Sequence, residues 1–201
     1  VLSWGVGGIE AEAAALGQPI TTLVPQVVGV HLTGELRDGV SAMDAALTFA
    51  QMLRAKGVVG KFVECFGDGV ATLSATQRAC IANMTPEYGC TCTLFPVDDR
   101  TLEYLLLTGR DKEQVALVEA YAKAQGMWND GASRVYSEVL ELNLSEVECS
   151  LAGPSRPHDR FARSDARSRF NAICADRNLD MDKRVAVNFM GSEYGLTHGA
   201  I

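Results

Sequence analysis

No stretch of this sequence approaches the ~20 consecutive apolar residues that a membrane-spanning helix needs, and no secretory or transit segment is visible. Histidine is scarce. His31, His158 and His198 lie far apart, and none of the six cysteines (65, 80, 90, 92, 149 and 174) forms a C-x-x-C pair. Metal-type spacing of cysteine with histidine is therefore missing. The default for such thiols is reduced and mostly buried, with a reactive or redox role for Cys90 or Cys92 as the alternative. Positive charge is in the minority: 18 Lys and Arg stand against 25 Asp and Glu, for a net charge of −7 and a pI near 5.0. That balance argues against bulk affinity for nucleic acid or acidic membranes. There is no internal repeat and no low-complexity tract.

What remains is an ordinary globular composition, 47% hydrophobic and 21% charged over 201 residues, enough for one large domain with flanking pieces. The chain opens at Val1 in a turn leading into a helix and closes at Ile201 as "GLTHGAI" becomes strand-like. Both ends read as cut from a longer protein.

Residues 7–16 predict a short Ala-rich helix stopped by Gly17 and Pro19. "TTLVPQVVGVHLTGEL" (21–36) predicts a strand with Pro25 near an edge or bulge. "SAMDAALTFAQMLRAKG" (41–57) predicts a helix capped by Ser41 and stopped at Gly57. A second strand follows at 58–67. Residues 74–84 predict a helix, because Ser74 and Gln77 stand at capping-box spacing. A third strand is expected at 92–98, then helices at 99–110 and 111–126, each closed by glycine. This alternation predicts an α/β layer architecture. Beyond it, 134–149 alternates like a strand, 152–160 is a proline-containing loop, 164–178 is a helix capped by Ser164, and 184–201 is strand, turn, strand.

Several stretches invite functional readings. "GVGGIE" (5–10) has two glycines of a dinucleotide fingerprint but carries Glu10 at the third position, so a tight turn into a helix is preferred. Arg156, Arg160, Arg163, Arg167 and Arg169 could form a phosphate or RNA patch, with Arg160, Arg163 and Arg167 on one face if the helix reaches that far back. A solvated face pairing with Asp159, Asp165 and Asp176 is the preferred alternative. Arg54, Lys56 and Lys61 form a smaller basic group of the same kind. His198 is read as a packing or hydrogen-bonding residue rather than a ligand.

The most informative stretch is "CIANMTPEYGCTC" (80–92). Pro86 cannot continue the preceding helix, since it lacks an N–H and clashes with the carbonyl four residues back. It suits a fresh start, with Thr85 as cap and Glu87 in the first turn, where the helix dipole favours a carboxylate. Asn83 then ends one helix and Glu87 begins the next, turning both toward one corner. Simple capping is the bland alternative.

"WGVGGIEAEAAALGQP", "TGEL", "GVVGKFVE", "GVATLSATQRACIANMTPEYGCTCTLFPVD", "YLLLTGR" and "GPSRPHDR", in this order, resemble the aconitase family. The likeness is strongest to its cytosolic and bacterial A-type branch, which includes the iron regulatory proteins. The resemblance implies an internal fragment of an aconitate hydratase, a hydro-lyase that interconverts citrate and isocitrate through cis-aconitate. It implies a [4Fe–4S] cluster held by three cysteines, its open iron acting as Lewis acid. It places Asn83 and Glu87 in the active site: Glu87 to manage the proton of a hydroxyl or water at the open iron, Asn83 to hydrogen-bond nearby.

The same resemblance puts the cluster cysteines in a "SCTN" motif and a later pair. None of the six cysteines here matches them, and the serine base and substrate-gripping arginines are likewise not matched. No cofactor-binding or metal-ligating residue is assigned to this chain, and the fragment alone is expected to be inactive. The implied fold is a three-layer α/β/α domain at 20–130, preceded by the end of a first domain (1–19) and followed by a linker and the start of a third (131–201). Partners implied are citrate, isocitrate or cis-aconitate, the remaining aconitase domains, and RNA if the cluster-free protein is an iron-responsive regulator. The implied compartment is cytoplasmic or mitochondrial. A related substrate, homoaconitate or isopropylmalate, is the other alternative.

Overall fold

Four strands make one parallel sheet: β1 (Val27–Thr33), β2 (Phe62–Phe66), β3 (Cys92–Leu94) and β4 (Glu138–Asn143), in the order β3-β2-β1-β4. The structure is a computed structural model that describes residues 7–21, 23–131 and 134–199. It divides into two compact units, Val1–Arg160 and Phe161–Ile201.

In the first unit the chain runs through α1 (Gly8–Ala15), β1, α2 (Ala42–Lys56), β2, the short α3 (Gly69–Thr72), α4 (Ala75–Asn83), the single turn α5 (Thr85–Tyr88) and β3. It continues through α6 (Asp99–Leu107) and α7 (Lys112–Ala124) to β4, a 3-10 turn (Leu144–Glu146) and the short strand β5 (Ser150–Ala152). The connections β1–α2–β2 and β2–α3–α4–α5–β3 extend the sheet to one side of β1. The last crossover returns β4 to the other side, pairing Val28 with Glu138 through to Thr33 with Asn143. This is the expected α/β architecture, a parallel sheet flanked by helices.

Local chemistry explains the helix starts. Ser41 and Asp44, and Ser74 and Gln77, form reciprocal capping boxes, and Asp98 caps α6 in the same way with Thr101. Gly57 closes α2 in the left-handed conformation, as its sequence position suggested. Strand parity then decides what is buried. Val28, Val30 and Leu32 of β1 and Val63 and Cys65 of β2 point into a core shared with Phe49 and Leu53 of α2, Ile81 of α4 and Tyr88 of α5. Residues of the opposite parity carry a ring stack, His31 on Phe66 (centroids 5.0 Å apart) and Phe66 on Tyr136 (4.9 Å).

Some expected boundaries shift. The strand at 21–36 shortens to β1, and Pro25 precedes it rather than sitting within it, because a parallel ladder on both sides of β1 has no place for a residue without an N–H. Residues 5 and 6 of "GVGGIE" lie outside the described residues; Gly7 is the N-cap of α1.

The second unit contains α8 (Ala166–Asp176) and an antiparallel hairpin, β7 (Val185–Phe189) with β8 (Ser192–Leu196); the short β6 (Arg160–Ala162) lies at the division. Asp165, not Ser164, is the N-cap of α8, preceded by a 3-10 turn at Arg163–Asp165. Arg160 and Arg163 therefore fall outside α8, and the three arginines 160, 163 and 167 do not share a helix face. His198 is exposed in a turn.

Candidate active site at the α4–α5 break

α4 ends at Asn83, and Met84 (φ −85°, ψ 7°) is at once its C-cap and the N-cap of α5. Pro86 sits in the first turn of α5, Glu87 follows it, and the Glu87 N–H donates to the Met84 carbonyl at 3.0 Å. Asn83, Pro86 and Glu87 are exposed, whereas Ala82, Thr85 and Tyr88 are buried. The break thus sorts the segment into an inner and an outer side, with Asn83 and Glu87 on the outer one. α5 closes at Gly89 (φ +78°), where an added Cβ would meet Val59 Cγ2 at 3.0 Å and the Arg54 guanidinium at 3.4 Å. A left-handed residue with so little room is a place for glycine.

Thr85 does not cap α5. It is the first residue of the turn, and its hydroxyl lies 2.5 Å from the Ala82 carbonyl, to which it donates, and 3.1 Å from Thr93 Oγ1. The Tyr88 hydroxyl lies 2.6 Å from the same Thr93 oxygen. A threonine with buried polar neighbours on both sides satisfies them rather than the helix end. Burial pushes the Tyr88 phenol well above its ordinary range, despite hydrogen bonds from Thr85 and Thr93 that favour the ionised form, so it stays a neutral hydroxyl. Nothing in the sequence pattern pointed to this cluster, because Thr93 reaches Tyr88 only once β3 joins the sheet.

The neighbouring cysteines are structural. The Cys90 Sγ lies 3.0 Å from the Lys61 carbonyl and 3.1 Å from the Cys92 carbonyl, which share its one S–H donor. Burial pushes up the thiols of Cys65 and Cys90, and raises Cys92 to about 11. Cys92 has no exposed surface. The basic residues are largely engaged as well. Lys56 and Lys61 both bind Glu138, holding its carboxyl below the usual range, and Arg160 donates to Ser150 Oγ and Gln51 Oε1. A long-range hydrogen bond joins β1 to β4: His31 Nδ1 lies 2.6 Å from Glu141 Oε2 across 110 positions of sequence.

The aconitase family (aconitate hydratase) matches residues 1–176. Aconitate hydratase A of Escherichia coli strain K12 is 54% identical over 205 residues, covering all of this chain and 23% of the relative. The protein of that name from Pseudomonas aeruginosa is 59% identical over 172 residues, 85% of the chain and 19% of the relative. That from Corynebacterium glutamicum is 59% identical over 200 residues, 97% of the chain and 21% of the relative.

The chain belongs to the aconitase family.

It spans about a fifth of the length of the curated relatives it matches. Aconitase membership implies an iron–sulfur cluster in the full-length protein, and the donor set here does not fit one. Cluster ligation takes thiolates, whereas burial disfavours the thiolate at Cys65, Cys80, Cys90 and Cys92. Among the described residues no three His, Cys, Asp or Glu side chains are grouped so as to hold a metal ion. No described helix is long and apolar enough to cross a membrane.

Proposed function

We propose that this chain is part of an aconitate hydratase and supplies one wall of its active site through Asn83 and Glu87. The carrying observation is the sorting at the α4–α5 break: Thr85 and Tyr88 are buried, and the Asn83 amide and the Glu87 carboxylate are left with Pro86 on the open side. Dehydration of a hydroxy acid removes a hydroxyl from one carbon and a proton from its neighbour, and rehydration reverses this. The departing oxygen needs a proton, and the returning water must lose one. Glu87 would hold and return that proton, which is general acid–base work for a carboxyl group. Asn83 would orient the same oxygen by hydrogen bonding, since its amide both donates and accepts.

The cluster would be of [4Fe–4S] type, carried by cysteines outside residues 1–201, and would supply Lewis acidity to the substrate. Residues 1–19 would end a first domain, and the sheet around β1 would form the second. The substrate would be citrate, isocitrate or cis-aconitate; the relatives are named aconitate hydratase A, which favours these over homoaconitate or isopropylmalate. RNA binding by a cluster-free form has less support, since Lys56, Lys61 and Arg160 are already engaged. The relatives are bacterial, which favours the cytoplasm and gives no support to a mitochondrial location.

The test is Glu87→Gln in the full-length enzyme. Citrate turnover should fall about 10²-fold or more, the range removed with a general acid–base group, and full retained turnover would overturn the proposal. Residues 1–201 alone should show none.

A further inference from the structure

We infer that the buried hydroxyl cluster of Thr85, Tyr88 and Thr93 is a positioning device that fixes the direction in which Glu87 leaves the fold. The inference rests on the active-site reading of Glu87.

α5 is four residues long. A single helical turn fixes several dihedral angles for one hydrogen bond and does not persist by itself. Its entry residue Met84 makes no side-chain cap bond. The geometry at Glu87 must therefore come from outside the turn. Three contacts supply it: Tyr88 Oη to Thr93 Oγ1 at 2.6 Å, Thr85 Oγ1 to Thr93 Oγ1 at 3.1 Å, and Thr85 Oγ1 to the Ala82 carbonyl at 2.5 Å. They join the last turn of α4, both buried residues of α5 and the middle of β3. In the chain α4 precedes Glu87 and β3 follows it, so the contacts tie down the segment at both ends. The Cys90 N–H to the Thr85 carbonyl at 3.3 Å closes the turn, and the Gly60 N–H to the Gly89 carbonyl at 3.3 Å holds its exit.

Stability alone does not call for hydroxyls here. Thr85 and Tyr88 are fully buried and Thr93 is 1% exposed, so apolar groups of the same shape would fill the space without desolvating three polar atoms. Apolar packing is non-directional. Hydrogen bonds at 2.5 to 3.1 Å set both distance and angle, and a satisfied buried network specifies one arrangement. Rotating α5 by a fraction of a turn would break all three contacts and swing Glu87 away from its outward course. None of the three hydroxyls reaches the open side, so they are positioning residues and not catalytic ones.

Tyr88→Phe and Thr93→Val each remove a hydroxyl and keep the volume, and Thr93→Ser retains the oxygen. In the full-length enzyme, Tyr88→Phe and Thr93→Val should each lower kcat about tenfold with KM unchanged, in keeping with the sensitivity of catalysis to misplacement well below 1 Å. The pH limb of kcat that Glu87→Gln abolishes should shift in both, and Thr93→Ser should restore kcat and the limb. A second readout needs no cluster: in the apo protein, the amides of residues 84, 85 and 87–90 should exchange hydrogen about tenfold faster in Tyr88→Phe and Thr93→Val while amides 27–33 of β1 stay unchanged. Wild-type kcat, pH limb and local exchange in both variants overturn the positioning role. So does faster exchange spread equally to β1, which marks a merely structural loss. If Glu87→Gln keeps full turnover, the reading of Glu87 fails, and this role with it. If Glu87→Gln is inactive and the hydroxyl variants are normal, only the positioning role fails.

Discussion

The Arg78 guanidinium is clamped end-on by the Asp98 carboxylate, with Nη1 to Oδ1 at 2.8 Å and Nη2 to Oδ2 at 2.6 Å. Arg78 is 2% exposed, and its remaining donors go to the carbonyls of Leu73, Val70 and Pro96. One side chain thereby ties α3, α4 and the entry to α6 together, and Asp98 is also the cap of α6. Buried charges are tolerated only when so fully paired.

Asp98→Ala should destabilise the fold by about 3–5 kcal/mol, because it strands a buried guanidinium and removes a helix cap. Urea unfolding at neutral pH measures this. A loss below about 1 kcal/mol, the value of an exposed pair, would show that the clamp is not buried in solution.

Asp44 gives a pH signature. Burial pushes its carboxyl upward, but hydrogen bonds from the Ser41 hydroxyl and N–H and the Ser150 N–H, with the charge of Arg160, outweigh that and leave it below 3.8. A carboxyl depressed in the folded state contributes stability that is complete above its unfolded value and lost as pH falls through the folded one. Asp44→Asn should cost about 1.5–3 kcal/mol at neutral pH, the range for hydrogen bonds to a charged group. The gap to wild type should close as pH drops below 3.8. Denaturant midpoints between pH 7 and 2 follow it; a gap independent of pH would refute the assignment.

Gly67 lies at φ +98°, and a Cβ there would stand 2.4 Å from the Leu32 carbonyl oxygen. That obstacle is backbone and cannot swing away. Gly67→Ala should cost about 2 kcal/mol or more from backbone strain and overpacking together. Gly109→Ala, at φ +90° with nothing within 4 Å of the new Cβ, should cost less. Thermal unfolding of the two variants side by side reads the difference.

The thiols should separate by accessibility. Cys149, whose thiol donates to the Gly39 carbonyl, and Cys80 are partly exposed, while Cys65, Cys90, Cys92 and Cys174 are buried. Alkylation near pH 8 should modify Cys149 and Cys80 first and leave Cys65, Cys90 and Cys92 until the protein unfolds. Peptide mapping over time shows the order, and early labelling of Cys90 or Cys92 would revive a redox role for them.

Helix starts were legible because a capping box is a local device: Ser41 with Asp44 and Ser74 with Gln77 are three residues apart and need no distant partner. The break at Pro86 was legible for the same reason, since the missing N–H and the ring clash act within one turn. The role of Thr85 was misjudged because its hydroxyl has two possible clients, the helix end beside it and Thr93 on β3, and only the second becomes available through folding.

The sequence by itself determined the family, the alternation of strands and helices, and the break at Pro86 that ends one helix at Asn83 and puts Glu87 in the next. These depend on short-range sterics, periodicity and motif identity. Tertiary structure alone decided that β4 pairs with β1, that His31 meets Glu141 across 110 positions, and that Tyr88, Thr85 and Thr93 share their hydroxyls. Such contacts exist only after strands distant in sequence settle into register, and parallel pairing leaves no local trace of which strand will lie beside which.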